Sequence, residues 1–112
     1  DPSPAGMITI SPSRRAASII ASISPREVRV YHNLALIDHL QRKYEVALQG
    51  YEQALSLDPS FAQSHYNRGD VLINLKRYDE AAAAYGEYTR LEPEGPYIKR
   101  ARNKIRYCNE QR

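Results

Sequence analysis

Residues 62–93 read AQSHYNRGDVLINLKRYDEAAAAYGEYTRLEP. At helical spacing this is two amphipathic segments joined by a tight corner at Lys76-Arg77, the first ending near Leu75 and the second opening at Tyr78. The residues placed where the two segments would cross are small: Gly69 on the first, Ala81 and Ala82 on the second. Helices approach closely only where side chains are small, so the stretch predicts an antiparallel helical hairpin. The pattern also occurs one unit earlier. Pro93, Tyr85, Ala81, Tyr78 and Asn67 each have a like residue 34 positions before them, at Pro59, Tyr51, Ala47, Tyr44 and Asn33.

An internal repeat of that period, carried by those residues, resembles the tetratricopeptide repeat family. The resemblance runs from about Val28 to Pro93. It is specific at Gly69, Tyr78, Ala81, Tyr85 and Pro93, and at Tyr31, Tyr44, Ala47, Tyr51, Ala54 and Pro59. Ala35 stands in place of the family's usual Gly, His65 in place of its first aromatic, and Tyr88 in place of a small residue. The fold implied is all-α: antiparallel helical hairpins stacked as a short right-handed solenoid of about six helices.

Outward from that core, residues 1–11 are rich in Pro and Ser and carry no period, which predicts a flexible N-terminal tail. Residues 12–24 place Ala16, Ala17, Ile19, Ile20 and Ile23 at helical spacing and predict a half-repeat helix covering the first full repeat. Ser24-Pro25-Arg26-Glu27 opens the next helix with a capping-box pattern, Pro taking the first helical position. That helix is expected to reach about Gln41 and to bury Val28 or Tyr31, Leu34, Ala35 and Ile37. Repeats are assigned to 28–61 and 62–95, and a capping helix to 96–112. On the capping helix Ile98, Ala101, Ile105 and Cys108 form one apolar stripe.

Composition sets limits on function. With 42% apolar and 26% charged residues in 112, the chain reads as one globular domain. No apolar run approaches membrane-spanning length, so no membrane insertion is expected. A single cysteine, Cys108, forbids an intrachain disulfide and favours a cytoplasmic setting. His32 and His39 are two helical turns apart, too far to share a metal unaided, and no phosphate loop or zinc-protease motif is present. The expectation is a non-enzyme without metal or cofactor.

The resemblance implies where binding occurs, on a concave groove lined by the first helix of each hairpin. Carried onto this sequence, the groove positions are Arg29, His32, Asn33, Leu36, His39 and Leu40, then Gln63, Tyr66, Asn67, Asp70, Ile73 and Asn74. Asn33 and Asn67 stand out because a side-chain amide donates and accepts, and so can grip a peptide backbone whatever its sequence. The alternative is that Asn at this position only bridges helices. The family's basic clamp for chaperone carboxylates is not matched: His32, Leu36, Tyr97 and Ala101 stand at its other positions, with Asn67 alone fitting. The expected function is thus a scaffold or adaptor binding a protein or peptide in the groove. A second reading uses the basic surface of Lys99, Arg100, Arg102, Lys104 and Arg106, which suits an acidic protein or, less well, nucleic acid. A homodimer is a further expectation, from apolar edges around Ile19, Ile20 and Ile23 or on the last helix.

Overall fold

In the computed structural model, which describes residues 25–111, helices alternate between two layers. They are α1 (Pro25–Leu40), α2 (Tyr44–Leu57), α3 (Ala62–Asn74), α4 (Tyr78–Leu91) and α5 (Ile98–Glu110). α1 pairs with α2 and α3 with α4 as hairpins; α2 packs on α3, and α5 packs on α4. The arrangement is a short all-helical solenoid, with no strand among the described residues. The tail expected at 1–11 and the half-repeat helix expected at 12–24 lie outside those residues.

Both hairpin corners are built alike. Arg42 and Lys76, one repeat apart, each adopt positive φ, at 65° and 60°. The amides of Lys43 and Arg77 reach back to the carbonyls of Asp38 and Leu72, each at 2.8 Å. Those of Arg42 and Lys76 reach the carbonyls of His39 and Ile73. This pair of bonds is the Schellman closure, which satisfies carbonyls that the helix end leaves without partners.

Small residues set how closely the helices approach. A Cβ added at Gly69 would lie 2.7 Å from the ring of Tyr85, so α4 leans its tyrosine directly on the α3 backbone. In the first hairpin the small partner has changed sides. Ala35 occupies the place of Gly69, and Gly50 of α2 provides the room, since a Cβ there would lie 2.7 Å from the methyl of Ala35. The weak match at Ala35 is therefore compensated across the helix pair.

The core runs through both layers: Ala35, Ala47, Leu48 and Tyr51, then Tyr66, Val71, Leu72, Ala81, Ala84, Tyr85 and Tyr88, closing on Ala101 and Cys108. α1 departs from its expected core face. Val28 and Ala35 are buried, but Tyr31, Leu34 and Ile37 are exposed, and His32 is buried instead. The buried face of α1 is Val28, His32 and Ala35, with His32 tying it to α3. Its histidine is accepted because both ring nitrogens find partners.

Candidate functional site

α1, α3 and α5 form one layer, and a cleft of about 470 Å³ opens between them, lined by His39, Asp70, Ile73, Asn74, Lys104 and Tyr107. Asp70 and Lys104 meet in its floor, the ammonium donating to Asp70 Oδ1 at 2.6 Å. The Tyr85 hydroxyl donates to the same oxygen from below. The lysine lies over two rings, 4.8 Å from the centroid of Tyr66 and 5.6 Å from that of Tyr85. Burial by itself would lower the ammonium's pKa, but the hydrogen bond and charge of Asp70, with help from Tyr66, raise it above the ordinary lysine value. The Tyr85 hydroxyl is pushed far up, first by burial and then by the Asp70 charge, so it stays a neutral donor. Behind the pair Tyr66, Tyr88 and Tyr97 form an aromatic wall, with Tyr66 and Tyr97 centroids 5.1 Å apart.

A second polar cluster ties α1 to α3. Asn67 Nδ2 donates to His32 Nε2 at 3.4 Å, which leaves the other ring nitrogen, Nδ1, to donate to Ser64 Oγ at 2.7 Å. The ring is flanked by Tyr51 and Phe61, centroids 5.4 and 5.3 Å away. Burial lowers the His32 pKa and keeps the imidazole neutral. The Tyr51 hydroxyl lies 3.3 Å from His39 Nδ1; burial, the largest effect, pushes its pKa up to about 12.

The twelve groove positions divide by exposure. Arg29, Asn33, Leu40 and Asn74 are open to solvent, while Leu36, His39, Gln63, Asp70 and Ile73 are half-buried. His32, Tyr66 and Asn67 are buried. The two asparagines are thus unlike: Asn33 faces solvent, and Asn67 accepts from Gln63 Nε2 and donates to His32. The structure brings both to the same layer but leaves only Asn33 with a free amide edge.

The basic residues of α5 also divide. Lys99, Arg100, Arg102 and Arg106 are exposed, whereas Lys104 is drawn into the cleft by Asp70. Lys104 and Tyr107 form the third wall of the cleft, whereas the groove positions expected from the sequence stop at Asn74 and only Tyr97 and Ala101 are named beyond it. The repeat itself contained the signal, because adding 34 to Gln63, Asp70 and Ile73 gives Tyr97, Lys104 and Tyr107. Cys108 is buried, its thiol pushed up by burial. Among the described residues no group of His, Cys, Asp and Glu is arranged to hold a metal, and no helix is long and apolar enough to cross a membrane.

A family model for the tetratricopeptide repeat matches residues 41–96, half of the chain. The chain belongs to the tetratricopeptide repeat family. The sequence is 38% identical over 80 residues to the human protein O-mannosyl-transferase TMTC3, a match covering 70% of this chain and 8% of that protein. It is 28% identical over 88 residues to the Hsp70-Hsp90 organizing protein 3 of Arabidopsis thaliana, covering 79% of this chain and 15% of the relative. This tetratricopeptide chain therefore spans a small part of the relatives it matches. Among solved structures it resembles the TPR2B domain of yeast Sti1 in a complex with pHsp70. The TM-score there is 0.73 at 20% identity, with 80% of this chain and 74% of that one covered. The likeness to a chain of the CopN–Scc3 complex has a TM-score of 0.64 at 16% identity, covering 80% and 58%. At those identities the likeness shows the fold.

Proposed function

We propose that this chain is a non-catalytic protein-interaction module that takes a segment of a partner protein along the groove of α1, α3 and α5. The observation that carries the reading is the cleft itself. It joins all three first helices, with apolar Ile73 and Tyr107 interleaved with His39, Asp70, Asn74 and Lys104, and on α1 the exposed Arg29, Asn33 and Leu40 stand at the neighbouring groove positions. Such a surface suits a peptide or helix of mixed polarity. The relatives support it, since several are co-chaperones that organise Hsp70 and Hsp90, and Sti1 TPR2B forms a complex with pHsp70.

The internal bonding of Asn67 shifts recognition to the groove rim. Gln63 and His32 already engage its amide, and Asn74 Nδ2 donates to the Asp70 carbonyl, so Asn33 and the apolar side chains are the groups free to meet a ligand. The test is selection from a displayed peptide library on the whole chain. Peptides should lose at least about tenfold in affinity on Leu40→Asp with Asn33→Ala, a loss typical of removing anchors. They should be indifferent to Arg102→Glu with Arg106→Glu. The reverse pattern, with steep salt dependence, would move binding to the basic face of α5 and end the groove reading.

A further inference from the structure

Three aliphatic residues of α1 are exposed where their counterparts one repeat later are buried or half-buried. Val30, Leu34 and Ile37 are 46%, 54% and 50% exposed. One repeat later the same face of α3 carries Ser64, Arg68 and Val71. Ser64 and Val71 are 0% exposed, Ser64 accepts from His32 of α1, and Arg68 pairs with Glu52 of α2 at 3.4 Å. Two repeats later Ile98 and Ile105 of α5 are half-buried, Ile105 packing on the core. This face is the one that each first helix turns toward the hairpin before it. On α1 it is aliphatic, and no described residue covers it.

The opposite end of the array is finished differently. On α5, Asn103 and Arg106 stand where α3 has Gly69 and Leu72, and both are exposed. Gly69 is where α3 admits its hairpin partner, so a polar side chain with volume at that position closes the array there. The C-terminal end is polar and the N-terminal end apolar.

We propose that residues 12–24 of this chain cover the Val30, Leu34 and Ile37 face, acting as the second helix of an incomplete preceding repeat. Ala16, Ala17, Ile19, Ile20 and Ile23 supply an apolar stripe at helical spacing. With about three residues left for the turn before Pro25, the helical part would span about 15 Å, against about 10 Å from Val30 to Ile37. It is joined directly to Pro25, so its effective concentration is of millimolar order, above that of a second copy at micromolar protein. This inference is independent of what the groove binds.

The experiment uses the full chain and a cycle of two double substitutions, Ile20→Asp with Ile23→Asp and Leu34→Asp with Ile37→Asp. Tm is followed by circular dichroism and mass by light scattering. Covered residues predict that each pair lowers Tm by about 5 °C or more. They also predict that the fourfold variant loses no more than the worse pair, because both remove one contact. Should a charged pair abolish folding, Ile20→Ala and Leu34→Ala form the same cycle at smaller amplitude. A face pair that leaves Tm unchanged would show a bare face, and fully additive losses would place the segment elsewhere. A dimer dissociated by Leu34→Asp would give the face to a second copy. Each of these three outcomes overturns the proposal.

Discussion

Asp70 and Lys104 are 34 residues apart and joined at 2.6 Å, so the same position in consecutive repeats forms an ion pair across the groove floor. Leu36 holds that position in the first repeat, where there is no charge to pair. At this position the groove passes from apolar on α1 to an ion pair between α3 and α5.

The two partners should not contribute equally to stability. Asp70 also accepts from the Tyr85 hydroxyl, on a tyrosine that is fully buried. Asp70→Ala leaves that hydroxyl without an acceptor and is expected to cost about 2 kcal/mol. Lys104→Ala removes a partly solvated charge and its contact with two rings, leaving Asp70 bonded to Tyr85, and should cost about 1 kcal/mol. Urea unfolding of both variants checks the order, and equal losses would mean that the Tyr85 bond adds nothing.

Two glycines in neighbouring helices should respond to alanine with opposite signs. At Gly69 a new methyl meets the Tyr85 ring at 2.7 Å, while at Gly86 it meets nothing within 4 Å. Both lie inside helices, where Ala is favoured over Gly by about 1 kcal/mol. Gly86→Ala should gain most of that. Gly69→Ala should lose about 1–3 kcal/mol, because the ring is packed in the core and cannot retreat. Thermal unfolding of the pair decides it; a stable Gly69→Ala would show that the α3–α4 crossing is looser than described.

Much of this fold was legible because the repeat fixes small residues at crossings and Pro at helix ends. α4 opens at Tyr78 as expected, and α2 and α4 end at Leu57 and Leu91, with Pro59 and Pro93 two residues beyond each. α1 was misread for a physical reason. Periodicity shows that Leu34 and Ile37 share an apolar face but not which neighbour covers it, and in an end repeat that neighbour need not be the helix's own hairpin partner. His32 was hidden too, because its burial depends on Ser64 and Asn67, more than thirty residues away. The α5 wall of the groove was available by translation, but the run of basic residues drew the reading to a charged surface.

The hairpin corners offer a gain in stability. Lys76 holds φ of 60°, a conformation that costs a residue with a Cβ about 1 kcal/mol or more. Lys76→Gly should release that strain, offset in part by the greater freedom of Gly in the unfolded chain, for a net gain of about 0.5 kcal/mol. Lys76→Ala keeps the Cβ and should give no such gain. Denaturant midpoints of the two variants separate strain from any effect of removing the charge, and equal midpoints would reject the strain account.

Acid should weaken the junction between α1 and α3. Burial lowers the folded-state pKa of His32 below the ordinary 6.5, so across the window below that value the unfolded chain binds the extra proton and the folded one resists it. Stability is then full above the unfolded pKa and falls as pH drops below it. His39 acts in the same direction, lowered chiefly by burial, with Asp70 opposing and Lys104 adding to the shift. His32→Gln keeps an amide that can reach Ser64 or Asn67 but cannot titrate. It should start less stable at about pH 7.5 and lose less than the wild type on going to about pH 5.5. Urea midpoints at the two pH values provide the comparison. A wild-type slope that survives in His32→Gln would mean that the folded protein protonates this ring as easily as the unfolded chain does. The hydrogen bonds to Ser64 and Asn67 would then have to rearrange on protonation at no cost.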